Sequence, residues 1–226
     1  MANPKCILIK HATILSMDQA IGNVSNCDNL IKEDTIAAVG LKLSIPEDGD
    51  CKTIDCRDSI IPLGFVDGHH HMWQQFLLSI ATDLSLLDYL INMRTRYGSL
   101  STAEDVYIAQ YADGLSLLSN GITTVLDHCH IFNTPSLADA AIRGLKDSGI
   151  RGTFCYGFYP NPPMPEHPSG ELFEDFTQEL RQRDAARVLR KHFPDNNTKT
   201  LLLTFGIAPN ELGSTAMEDI KEELKI

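Results

Sequence analysis

The sequence predicts an α/β protein in which a β-rich lobe precedes a parallel sheet covered by helices. Three observations carry that expectation. Residues 1–59 hold short apolar runs broken by turn residues. Near Ile60 the pattern changes to strands alternating with helical segments. Four such strand–helix units fill residues 60–226.

In the first lobe, residues 6–9 and 12–15 read as strand, and residues 29–32 and 35–39 as a hairpin across Glu33 and Asp34. Residues 53–56 add a further strand. In the second part, strands are expected at about 60–66, 122–127, 152–157 and 201–207. Ser101 and Glu104 fit a reciprocal cap for a helix that carries Val106, Ala109, Leu117 and Leu118 and stops at Asn120 and Gly121. Pro135 suits the first turn of a helix that runs to Gly149. The prolines between 160 and 170 demand a loop, and a polar helix follows over roughly 171–193. Thr215 with Glu218 suggests another capped helix near the last residues.

Composition narrows the class. At 226 residues, 43% hydrophobic and 22% charged, the chain suits a globular protein with a sizeable core. Its formal charge of -11 argues against nucleic acid or an anionic membrane as partner. No apolar run approaches the ~18 residues of a membrane span, and Met1–Lys5 begins no signal peptide. The six cysteines form no Cys-x-x-Cys pair, which favours reduced thiols and a cytoplasmic location. Cys51 and Cys56 can be drawn as a disulfide, but packing thiols are preferred.

Chemistry concentrates after Ile60. The run Ile60-Ile61-Pro62-Leu63-Gly64-Phe65-Val66-Asp67-Gly68-His69-His70-His71 reads as a buried strand ending in a histidine pair. His69 and His71 are two residues apart, so extended backbone points both imidazoles to one face, where they can grip one divalent ion. The segment resembles the signature of the amidohydrolase superfamily, in its cytosine deaminase-like and chlorohydrolase-like branch: an apolar strand, then Pro-Gly-Phe-Val-Asp-x-His-x-His. Leu63 stands where that signature has proline, with Pro62 one place earlier. The continuation Met72–Leu78 and Ala81–Leu90 is also similar, and the resemblance runs from about residue 5 to the last residue.

The resemblance implies that residues 1–59 form part of a composite β-sandwich and residues 60–226 the first half of a (β/α)8 barrel. It implies a metal-dependent hydrolase of non-peptide C–N bonds, with His69 and His71 as ligands of Zn2+ or Fe2+ that activates water. It places further ligands and proton carriers on later strands, so no catalytic acid or base is assigned here. Two histidines hold a catalytic zinc weakly, because such sites use three protein ligands.

A second cluster, Asp127-His128-Cys129-His130, follows the second strand. His128 and His130 are candidates for the substrate pocket or for the metal, with a solvated loop pair as the plain alternative. Trp73 and Gln74 are the other substrate-binding candidates, and Trp73 suits the core equally well. Glu211 is a possible proton carrier or a solvated loop carboxylate. His11, His167 and His192 are read as surface residues. The expected partner is a small molecule, a cyclic amidine or amide. Open barrel edges are expected to leave the isolated chain poorly soluble or self-associated, and the absence of the later ligands to leave it without hydrolase activity. The alternative is a non-catalytic half-barrel that binds a partner.

Overall fold

In the computed structural model, which describes residues 5–45, 51–161, 176–196, 201–211, 213 and 215–226, the chain divides at Gly64 into two units. The first contains a five-stranded sheet. Strand β1 (Cys6–Leu15) pairs antiparallel with β2 (Asn23–Lys32), which pairs with β3 (Thr35–Gly40) through a tight turn where Glu33 has φ 55°. Strands β4 (Cys51–Asp55) and β5 (Ile60–Pro62) both run parallel to β1, one after the other along its free side. Alternation along β1 buries Cys6, Leu8, Ala12 and Ile14 in two small clusters, with Leu30 in one and Cys27 in the other.

This unit corrects two expectations. Residues 60–66 are not one strand: Ile60–Pro62 belongs to the first sheet, and the second unit starts at Phe65 rather than at Ile60. The cause is hydrogen bonding, since Thr13–Leu15 lies beyond the reach of β4 and takes Ile60–Pro62 as its partner. The six thiols are not all free either. Cys6 and Cys51 are opposite each other in the β1–β4 register and form a disulfide, leaving Cys27, Cys56, Cys129 and Cys155 unpaired.

The second unit is α/β with a parallel sheet. Its strands are β6 (Phe65–His70), β7 (Ile122–Cys129), β8 (Arg151–Gly157) and β9 (Leu203–Ala208), hydrogen-bonded in that order. Between β6 and β7 come a 3-10 turn (Met72–Leu77), helix α1 (Leu86–Tyr89), a π-helical stretch (Leu90–Tyr97), α2 (Gly98–Leu100) and α3 (Ala103–Ser119). Helices α4 (Pro135–Ser148), α5 (Gln178–His192) and α6 (Met217–Glu223) follow β7, β8 and β9. The core gathers Trp73, Val106, Ile142, Leu145, Phe154, Tyr156 and Val188. Helices α3 and α4 touch at Gly144, where a Cβ would lie 2.6 Å from the Tyr107 carbonyl oxygen.

Three local expectations shift. The α3 cap is one residue later, with Thr102 accepting from the Asp105 amide and Asp105 reaching back to the Thr102 amide. Helix α6 starts after Ala216 without a side-chain cap, not at Thr215. The apolar residues before the histidine pair are not buried: Phe65 is 63% and Val66 71% exposed, because among the described residues β6 has only β7 as a strand neighbour. The proline-rich loop lies largely outside the described residues, as do His167 and the expected start of the polar helix, which is seen from Gln178 after its cap Thr177. Among the described residues no helix is long and apolar enough to cross a membrane.

Candidate metal centre

The C-terminal ends of β6 and β7 bring three imidazoles together. His69 and His71 share one face of the β6 end, with ring centroids 4.8 Å apart. In the β6–β7 register His70 faces Asp127, so the next residue on each strand, His71 and His128, also lie side by side. The His128 ring is 5.0 Å from that of His71 and 5.5 Å from that of His69. The ligand nitrogens of all three lie within 4.8 Å of one another.

Hydrogen bonds orient these rings. His71 Nδ1 is 2.7 Å from the His128 carbonyl oxygen. A carbonyl only accepts, so Nδ1 carries the proton and Nε2 presents its lone pair. Burial holds the His71 imidazolium below its ordinary pKa and lowers that of His128 to about 4, helped by the neighbouring His71 and His69. Both are therefore neutral donors near pH 7. Among the described residues His128 Nε2 is buried and has no hydrogen-bond partner. Neutral imidazoles with free lone pairs suit a first-row transition metal, so the residues present fit a Zn2+ or Fe2+ ion.

His70 acts as a strut between two carboxylates. Its Nε2 is 2.7 Å from Asp113 on α3 and its Nδ1 3.0 Å from Asp67. The Asp113 hydrogen bond, working against burial and aided by Asp67, raises the imidazole to about 9, so both ring nitrogens donate. Asp67 also accepts from the His69 amide at 3.1 Å, tying the β6 end into a fixed turn. On β7, Asp127 is fully buried and accepts from the Met72 amide at 3.1 Å and from Gln110 Nε2 at 2.9 Å. Burial lifts its carboxyl to about 7 despite those bonds. The sequence offers no spacing signal for Asp113 or Gln110, which reach these strands from a helix. Asp127 had a signal, since it precedes its histidine cluster much as Asp67 precedes the other.

A cleft of about 480 Å³ opens beside the rings, lined by His69, His71, Gln74, Leu77, Tyr89 and Met93. Gln74 lies on its wall and donates to the Tyr89 hydroxyl. Trp73 does not line it. The indole is fully buried against Phe76 and His130, because the 3-10 turn after β6 drives it into the core. His130 is likewise buried, between Trp73, His71 and Tyr159, and takes no place on the wall. Glu211 contacts the Tyr159 hydroxyl, whose ring lies under Arg94 at 3.5 Å. His192 is no free surface residue, since its Nε2 is 2.7 Å from Asp139, and His11 pairs with Asp55 at 3.1 Å.

No protein-family model matches the chain. The chain is 28% identical over 197 residues to a 5-methylthioadenosine/S-adenosylhomocysteine deaminase of Carboxydothermus hydrogenoformans, covering 86% of this chain and 44% of that one. Its fold matches atrazine chlorohydrolase from Arthrobacter aurescens TC1 complexed with zinc, with a TM-score of 0.74 and 22% identity over 97% of this chain and 50% of that one. It also matches guanine deaminase from C. acetobutylicum with bound guanine, with a TM-score of 0.74 and 20% identity over 97% and 50% of the two chains. The chain thus spans about half the length of the proteins it matches. With the histidine pair at a strand end of a parallel sheet, these likenesses bear out the resemblance to the amidohydrolase superfamily.

Proposed function

We propose that this chain carries the metal-binding part of a metal-dependent hydrolase acting on non-peptide C–N bonds of a small molecule, a cyclic amidine or amide such as an amino-substituted purine. In this reading β6 to β9 with their helices form the first half of a (β/α)8 barrel, and the first unit forms part of a β-sandwich. The observation that carries it is the pairing of His69 and His71 on one face at a strand's C-terminal end, the position where barrels of this kind keep their reacting groups.

His69 and His71 would hold a divalent metal, Zn2+ or Fe2+, which supplies Lewis acidity to water when bound. The other residues orient and enclose. The His128 carbonyl fixes the His71 tautomer, and Asp67 and Asp113 lock His70 so that its neighbours face the cleft. Gln74 and Tyr89 offer an amide and a hydroxyl to a planar polar substrate. The deaminase relative favours a purine nucleoside as that substrate.

A cytoplasmic location and self-association belong to the same proposal. Self-association is supported by the exposed Phe65 and Val66 on edge strand β6, and light scattering that shows a monomer would remove it. The Cys6–Cys51 disulfide speaks against a reducing compartment, and thiol counting on protein from unbroken cells tests the location. The second reading is a non-catalytic protein that binds a partner or a metal ion.

Elemental analysis of the purified chain with an ammonia-release assay on 5-methylthioadenosine tests both readings. Bound zinc or iron that disappears in a His69→Ala/His71→Ala double variant supports the metal site. Unchanged metal content in that variant refutes it. Ammonia release that depends on the same pair supports the hydrolase, whereas metal binding without release is the outcome shared by half of a hydrolase barrel and a binding protein.

A further inference from the structure

We propose that His128 is a third protein ligand of the same ion, so that a three-histidine metal site lies within these 226 residues at the adjoining ends of β6 and β7. The proposal rests on the reading that His69 and His71 bind metal, and it goes beyond the weak two-histidine grip that the sequence motif implies.

Three independent features point to His128. Its ligand nitrogen falls in the group that, with those of His69 and His71, lies within 4.8 Å. Nitrogens bound to one tetrahedral zinc lie roughly 3.4 Å apart, given Zn–N bonds of about 2.0–2.1 Å. Rings already gathered to this degree need to close by at most about 1.4 Å.

The second feature is the unpartnered Nε2. Among the described residues His128 Nε2 is buried without a donor or acceptor. A buried polar atom left unsatisfied costs about 1–3 kcal/mol, a penalty that coordination would remove.

The third is mechanical. The His71 Nδ1 proton is held by the carbonyl oxygen of His128 itself, at 2.7 Å. One residue therefore orients a ligand of β6 through its backbone while its own ring stands beside that ligand. Metal-binding histidines characteristically give their second ring proton to such a carbonyl. Three imidazoles also match zinc sites that keep a fourth position open for water or substrate.

His130 supplies the control. It is two residues from His128 on the same strand end, its ring 5.3 Å away, and its Nδ1 is also buried without a partner. Its ring is 4.6 Å from that of His71, yet it packs against Trp73 and Tyr159 and its nitrogens do not join the ligand group.

The test titrates Zn2+ into the metal-free chain against a chromophoric chelator and records the visible spectrum of the Co2+-loaded protein. Relative to the unsubstituted chain, His128→Ala is expected to weaken Zn2+ by at least ~100-fold and to abolish the intense tetrahedral Co2+ bands. His130→Gln is expected to leave both unchanged. His128→Asn keeps a polar side chain of similar size, and circular dichroism of this variant separates ligand loss from misfolding. Zn2+ affinity within about 3-fold of the unsubstituted chain in both His128 variants, with loss in His69→Ala/His71→Ala, would overturn the third ligand and leave the pair standing. Equal affinity in every variant would remove the underlying reading as well.

Discussion

Strand β8 has a neighbour on each side and helices over its outer face, and Phe154 and Tyr156 are fully buried. Among the described residues strand β6 has β7 alone, and its Phe65 and Val66 stand mostly in solvent. The two strands have similar apolar content but different surroundings, and only β8 draws stability from that content. Yet β6 carries the histidine pair at its end. Its order there comes from polar anchors, Asp67 and Asp113 on His70 and the His128 carbonyl on His71, rather than from packing. Position in the sheet therefore separates the region that holds the fold from the region that presents the chemistry.

The strongest way to break this comparison is to truncate both strands. Phe154→Ala removes a ring in contact with Phe132, Phe193 and Phe205, and is expected to cost about 3–5 kcal/mol in chemical denaturation. Phe65→Ala is expected to cost below about 1 kcal/mol. Equal losses would mean that β6 is covered in solution, by a second copy or another segment.

Glycines probe the same contrast on the backbone. A Cβ at Gly152 in β8 would sit 2.2 Å from the Val125 carbonyl oxygen, whereas one at Gly68 in β6 would meet nothing within 4 Å. Gly152→Ala should destabilise by about 1–3 kcal/mol through forced separation of β7 and β8. Gly68→Ala should shift the denaturation midpoint little. A tolerated Gly152→Ala would show that the β7–β8 contact yields more easily than its spacing implies.

The smallest effect concerns the helices that cover β8. Burial alone would raise the Asp139 carboxyl on α4, but hydrogen bonds from Lys191, His192 and Arg187 overcome it and hold the group at about 2. A depressed carboxylate stabilises the fold above its unfolded pKa near 4, and that contribution is lost as pH falls through about 2. Asp139→Asn should therefore cost ~1 kcal/mol or less at pH 7, since the group is partly solvated, and the gap should close by pH 2. Thermal melts across that range measure it, and a gap independent of pH would assign the loss to packing instead.

Much of this architecture was legible in the chain. Alternation placed β7, β8 and β9 within a residue or two, and Pro135 and Gly149 bounded α4 because proline suits a first helical turn and a left-handed glycine ends one. The His69–His71 spacing foretold a shared face, because strand side chains alternate with period two. The sequence could not show that residues 60–66 would split between two sheets. That depended on which stretch of β1 remained without a partner, and a local pattern holds no record of it. Nor could it find the Cys6–Cys51 bridge, since 45 residues separate two cysteines that only the β1–β4 register sets opposite each other.

At the site the division follows the range of the interactions. The sequence by itself determined that two imidazoles would face one way at a strand end and that two more would follow the next strand. Only the tertiary structure decided between His128 and His130. Both share a face of β7 and both rings lie near that of His71, at 5.0 and 4.6 Å, but the His128 nitrogen falls in the group formed with His69 and His71 while His130 packs against Trp73. Periodicity is a property of neighbouring residues, whereas register and burial are settled by segments far apart in the chain, and here those decide which histidine stands with His69 and His71.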